Sequence, residues 1–191
     1  MTAIDYDPMV VVDYDPNWAV LFADEKSRIC NAIGDYILSV EHVGSTSIPG
    51  LAAKPIIDIQ VVVKDFSELD QCIPELRNIG YTYKGELGIE GRQYFKRPLY
   101  HLHMVQLGND EYQRKKLFLQ YLRENKSALD EYASLKKRLA GKWAGQDDCQ
   151  HRYNLDKTEF IMGILKKAGW DTDKKPLYLT EGYKPAQDLT E

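Results

Sequence analysis

Apolar residues recur at three- and four-residue spacing through Trp18, Leu21, Phe22, Ile29 and Ile33, the period that gathers side chains on one face of a helix. Asp15 as N-cap and Pro16 at the first helical position open this segment, and Gly34 closes it. Before it, Met9 to Val12 reads as a short strand that turns at Asp13-Tyr14-Asp15-Pro16. After it the pattern changes to strands: Ser39 to Val43 is one, and the β-branched run Ile56 to Val63 is another of buried character. A helix over about Ser67 to Asn78 ends at Gly80. Tyr81 to Lys84, Arg92 to Lys96 and Tyr100 to Gln106 follow as three strands, separated by turns that contain Gly or Pro98. The helical period then takes over in Asp110 to Glu124, Ser127 to Trp143 and Gln150 to Ala168, and Gly169 stops the last of these.

Strands with interspersed helices, followed by a run of helices, predict an α+β fold rather than a doubly wound sheet. A chain of 191 residues suits one core with a helical appendage. The expected organisation is a single domain over 1–170, sheet-rich over 9–107 and helical over 110–168. Residues 171–191 form a polar, aperiodic tail that is expected to be extended or mobile.

Composition acts mainly by exclusion. Lys and Arg total 25 against 29 Asp and Glu, a mildly acidic balance that argues against broad nucleic-acid binding while leaving room for a local basic cleft. Three widely spaced cysteines, Cys30, Cys72 and Cys149, indicate neither a disulfide framework nor a CxxC zinc site. The N-terminus carries Asp5 and Asp7 where a secretory signal would have basic and then apolar residues, and no apolar run has the length of a membrane span. A cytoplasmic protein without membrane attachment is expected, and nothing in the sequence fixes an oligomeric state.

Candidate chemistry concentrates in His42-Val-Gly-Ser-Thr-Ser-Ile-Pro-Gly-Leu-Ala-Ala-Lys-Pro-Ile-Ile-Asp58-Ile-Gln60. A strand ending in Gly44-Ser45 can turn backbone N–H groups and hydroxyls, including those of Thr46 and Ser47, toward a phosphate, because glycine lets the backbone approach closely. On the next strand Asp58, Gln60 and Val62 share one face and Ile57, Ile59, Val61 and Val63 the other. Asp58 is then a candidate ligand for a divalent metal beside the phosphate. The plain alternative is that Asp58 caps a turn or pairs with a lysine, with Gln60 at an exposed edge.

His101 and His103 also share a strand face, where they can chelate a metal or donate to a phosphate; equally, one is a satisfied core histidine and the other exposed. Lys54 precedes the Asp58 strand, and Arg92 and Lys96 share a face with Arg97 opposite, so each is either an anion contact or a solvated charge. His151, Asn154 and Lys157 recur every three residues and line either a cleft or the polar face of a helix whose buried stripe is Tyr153, Phe160, Ile161, Ile164 and Leu165. Leu117, Phe118, Tyr121, Leu122, Leu129, Tyr132, Leu139 and Trp143 are expected in the core, without chemistry.

The long Gly-Ser segment, the preceding Tyr14-Asp-Pro-Asn-Trp18, the His101-Leu-His103-Met strand and the Tyr153 to Ile161 helix together resemble the GrpB family, over about Val10 to Ala168. The resemblance implies a nucleotidyltransferase-like mixed β-sheet with flanking helices and a helical C-terminal part. In that superfamily a Gly-Ser turn leads to a strand with two carboxylates one residue apart, and a third carboxylate stands on a neighbouring strand. Relatives fused to dephospho-coenzyme A kinase also point to nucleotide chemistry. Carried over, Gly44 and Ser45 match the turn and Asp58 the first carboxylate, Gln60 takes the second position, and His101 or His103 takes the third. Two-magnesium transfer relies on anionic oxygens, so a one-metal site, or a softer metal such as manganese or zinc using His103, suits these residues better.

The expected ligand is a nucleotide or another phosphorylated small molecule held by His42, Gly44, Ser45, Thr46, Ser47, Lys54, Arg92, His101 and Lys157. Catalytic roles would fall to Asp58, Gln60 and His103, a divalent metal (Mg, Mn or Zn) to Asp58, His101 and His103, and no organic cofactor is expected. The reaction implied is nucleotidyl transfer to a small acceptor. The alternatives are a single-metal phosphohydrolase and a non-catalytic ligand-binding module.

Overall fold

A computed structural model describes residues 9–171; the expectation for the tail falls on 172–191, outside the described residues. Helix α1 covers Asn17–Ile33, and the Asp15 carboxylate accepts from the Asn17 backbone N–H at 2.9 Å, so the expected cap is in place. Strands β1 (Ser39–Val43) and β2 (Ile57–Val63) are followed by helix α2 (Leu69–Asn78). Strands β3 (Thr82–Tyr83), β4 (Arg92–Arg97) and β5 (Tyr100–Gln106) come next. Helices α3 (Asp110–Glu124), α4 (Lys126–Trp143) and α5 (Cys149–Lys167) complete the elements of the described residues. The α+β expectation holds: one five-stranded sheet runs in the order β1-β2-β5-β4-β3, with β2 and β5 parallel and every other pair antiparallel.

Two strands differ from expectation. Met9 to Val12 contributes a single antiparallel bridge between Val12 and Ala53, because its partner segment is flanked by Pro49, Gly50 and Pro55 and offers no ladder to extend. Strand β3 is only Thr82–Tyr83. Tyr81 is instead taken up by the end of α2, where its N–H donates to the Leu76 carbonyl at 3.0 Å across Gly80 (φ 99°).

Each face of the sheet has its own cover. Ile57, Ile59, Val61 and Val63 of β2, Leu102 and Met104 of β5 and Phe95 of β4 pack with Trp18, Ile29 and Ile33 of α1 and Cys72 and Leu76 of α2. Burying each such large apolar side chain favours folding by roughly 1.5–3 kcal/mol, so this side is the main core. The opposite face carries the polar alternates, because pairing sets Asp58 beside His101, Gln60 beside His103 and Tyr94 beside His103. The C-terminal helices cover it through a second apolar cluster that includes Val43, Leu51, Leu119, Leu122, Tyr132 and Ile164. No helix among the described residues is long and apolar enough to cross a membrane.

Candidate functional site

Strand β1 ends at Val43, and the chain turns out of the sheet at Gly44, whose φ of 71° and ψ of −175° belong to glycine alone. One tight helical turn follows over Ser45–Ser47. It is fastened from three sides. Ser47 Oγ donates back to the Gly44 carbonyl at 2.8 Å, Arg123 of α3 donates to Ser47 Oγ at 3.2 Å, and Thr46 Oγ1 donates to the Ile56 carbonyl at 3.0 Å. His42 Nε2 lies 3.1 Å from Thr46 Oγ1, and since that hydroxyl proton is committed to Ile56, Nε2 is the donor here.

The turn opens onto a cavity of about 350 Å³ between the polar sheet face and the C-terminal helices. Gly44, Ser45 and Thr46 line it with Asp58, His101 and His103, and four lysines converge on it: Lys54, Lys115, Lys136 and Lys157. Lys54 donates to Gln150 Oε1 at 2.7 Å, and Lys157 lies 4.1 Å from the Tyr153 ring centroid. A second chamber of about 470 Å³ adjoins the first and shares His103, Lys115, Gln150, Asn154 and Lys157 with it. Arg92, Glu111 and His151 line that second space.

Asp58 Oδ1 stands 3.6 Å from His101 Nδ1 and 3.6 Å from His103 Nε2. Burial alone would favour the neutral acid, but the two imidazoles beside it outweigh burial and hold the carboxyl well below the usual range. His103 is pushed down to about 3 by burial first and then by the Lys115 cation, so its ring is neutral at neutral pH. Burial likewise drives Lys157 down to about 7, with Lys54 adding to the effect, and Lys136 down to about 6, with Lys157 adding. The cavity thus sets one ionised carboxylate among several desolvated amines.

Of the residues expected at the site, Gly44, Ser45, Thr46, Lys54, Asp58, His101, His103 and Lys157 come together around this cavity. Arg92 is one chamber away, with its guanidinium donating to the Glu86 carbonyl at 3.0 Å. Three stand elsewhere. His42 pairs with Ile59, so it lies on the α1 side of the sheet, stacked on Phe22 at 4.7 Å between ring centroids. Ser47 turns its hydroxyl into the loop, and Gln60 is 1% exposed beneath the site with no hydrogen-bond partner for Oε1 among the described residues. Conversely, Lys115, Phe118, Tyr132 and Lys136 line the cavity although sequence reasoning gave them no part. The two lysines were signalled by place: each interrupts a buried stripe, Glu111-Lys115-Leu119 on α3 and Tyr132-Lys136-Leu139 on α4.

The donor set limits the metal chemistry. Among the described residues no three His, Cys, Asp or Glu side chains form a group placed to hold a metal ion, and the only carboxylate lining the first cavity is Asp58. Two hard cations need more anionic oxygen than this, so a two-magnesium centre does not fit.

The family profile described as "GrpB protein" matches residues 8–167. UPF0157 protein YqkA of Bacillus subtilis is 40% identical over 162 residues, covering 83% of this chain and 46% of that protein, so the chain spans less than half of YqkA. UPF0157 protein BH1888 of Halalkalibacterium halodurans is 38% identical over 168 residues, covering 84% and 82%. A 77-residue stretch is 38% identical to part of the dephospho-CoA kinase of Mycolicibacterium paratuberculosis, covering 39% of this chain and 19% of that one. The crystal structure of the conserved protein GrpB from Enterococcus faecalis superposes with a TM-score of 0.77 at 40% identity, covering 83% of this chain and 96% of that one. With the profile spanning most of the sequence and a solved relative sharing the fold, the chain belongs to the GrpB family.

Proposed function

We propose that the chain binds a nucleotide or another phosphorylated small molecule, with its phosphates against the Gly44-Ser45 turn and among Lys54, Lys115 and Lys157. The observation that carries this reading is the convergence of these lysines and the turn on a cavity with a single carboxylate. An ammonium about 4 Å from a phosphate oxygen at an effective dielectric near 20 gains about 4 kcal/mol per unit charge, enough to restore the protons that burial removes from the amines. The second chamber then receives the rest of the ligand or a small acceptor. The stretch shared with a dephospho-CoA kinase, a protein named for a phosphorylated-cofactor reaction, agrees with a ligand of this class.

Asp58 would repel a phosphate unless a cation stood between them. One divalent ion, magnesium or manganese, held by Asp58 and the phosphates themselves with water completing its shell, suits this donor set and would supply charge neutralisation for nucleotidyl transfer. A binding role without turnover is the second reading, favoured by Gln60, which is neutral and enclosed where a second carboxylate would be needed.

Thermal-shift titration with nucleoside mono-, di- and triphosphates and sugar phosphates, with and without magnesium or manganese, tests the proposal. A ligand at a hundred times its Kd raises stability by about 2.7 kcal/mol. Asp58→Asn is expected to abolish the metal-dependent part of the shift. Absence of a shift with every phosphorylated compound would remove the reading, and a shift indifferent to metal and to Asp58→Asn would leave binding without transfer.

A further inference from the structure

Lys136 is the one of the cavity's four lysines to which the phosphate reading gives no part. It sits mid-helix on α4 at a position of the apolar stripe, next to Tyr132, Leu139 and Ala140, and is 1% exposed. Its Nζ has no hydrogen-bond partner among the described residues, and it lies 4.6 Å from the Tyr132 ring centroid. Enclosing an ammonium without a counter-ion costs several kcal/mol, so such a group discards its proton instead. Burial and the neighbouring Lys157 cation act in that direction and outweigh the opposing pull of the Asp58 carboxylate, so Lys136 falls to about 6. Desolvation together with an adjacent cation is the environment that turns a lysine amine into a nucleophile at neutral pH.

We propose that Lys136 is a covalent site, at which its side-chain amine condenses with the aldehyde or ketone carbonyl of a phosphorylated small molecule held in the cavity. The amine lone pair forms the C–N bond as the carbonyl π bond breaks, a proton passes from nitrogen to oxygen, and water leaves as the C=N bond forms. Nothing is oxidised or reduced. The anchoring of the phosphate at Gly44-Ser45 rests on the reading above; the reactivity of the amine does not.

Pyridoxal 5′-phosphate is a suitable probe, with pyridoxal as the partner that lacks the phosphate. The protein is incubated with each at neutral pH, reduced with borohydride and mapped by peptide mass spectrometry. The expected result is one equivalent of adduct on Lys136, formed about tenfold more readily with the phosphorylated aldehyde and absent in Lys136→Met and Lys136→Arg. Lys136→Met, which replaces a buried amine by an apolar chain of similar length, is expected to melt no lower than the parent. Adduct spread over surface lysines, or confined to Lys54 or Lys157, would overturn the proposal. Adduct on Lys136 formed equally by both aldehydes would uphold the covalent site and remove the phosphate anchor. Nucleotide binding with Lys136 unlabelled would do the reverse.

Discussion

Gly44 and Asp58 pack so closely that a Cβ placed on Gly44 would lie 2.8 Å from the Asp58 Cβ, closer than real carbon contacts allow. The turn and the carboxylate are therefore one unit: β1 can leave the sheet beside Asp58 only because residue 44 has no side chain.

Gly44→Ala is accordingly expected to destabilise the fold by about 2–4 kcal/mol, from backbone strain at positive φ and from the collision with Asp58. Urea denaturation measures this. A loss under about 0.5 kcal/mol would mean that the turn relaxes freely. Even under conditions where the variant remains folded, the displaced carboxylate and turn are expected to weaken phosphate-ligand binding.

Gln60→Asp tests the limit set by the donor inventory. It places a second carboxylate on the face of β2 that carries Asp58, at an enclosed position. Two like charges so close cannot both ionise without a cation, and an uncompensated buried charge costs about 3–5 kcal/mol. The variant is expected to be destabilised in chelator and to recover in millimolar magnesium, with the parent indifferent. Equal melting temperatures with and without magnesium would show that position 60 does not reach the metal locus.

Much of the fold was legible because its elements carry local periods: the stripe of α1, the alternation of β5 and the cap at Asp15 are all properties of neighbouring residues. Which strands lie side by side is not. The approach of Asp58 to His101 and His103 depends on a parallel pairing across more than forty residues, and alternation alone does not say whether His42 or Val43 shares the face of Asp58. Antiparallel register decides it, sending His42 to the α1 side. Lys115 and Lys136 were hidden for a different reason. A period-based reading discards a lysine at a stripe position as surface charge, whereas Lys136 is enclosed and Lys115 half-enclosed where the helices face the cavity.

Lys136 makes stability depend on pH on the alkaline side. Its folded pKa of about 6 lies below its unfolded value of 10.5, so between the two the unfolded chain binds one proton more and the folded state gains as pH rises. The slope from one such group is roughly 1.4 kcal/mol per pH unit. Denaturation between about pH 7 and 9 is expected to show stability rising with pH, and Lys136→Met to flatten the rise by about 1 kcal/mol per unit. An unchanged slope in the variant would mean that Lys136 stays protonated.

His42 adds to the acid-side loss that His103 also causes, and does so from behind the turn. Burial first, and then the Arg123 cation, bring it down to about 4 against the pull of Asp58 in the other direction. Between the unfolded value of 6.5 and that folded value the unfolded chain again carries the extra proton, so stability is lost as pH falls through this window. Protonation would leave Nε2–H donating to Thr46 as before, so the penalty comes from charging a half-buried ring near the Arg123 cation rather than from breaking the turn. An NMR titration is expected to find the His42 ring neutral at pH 5. His42→Gln, which keeps a donor for Thr46, is expected to reduce the acid loss and to retain phosphate-ligand affinity within about twofold, because residue 42 lies across the sheet from the cavity. His42→Ala leaves Thr46 without that donor and the stack on Phe22 empty, and is expected to lower both stability and affinity. If the glutamine variant lost phosphate-ligand binding altogether while remaining folded, His42 would be a ligand contact after all, and the face assigned to it by the β1–β2 register would be wrong.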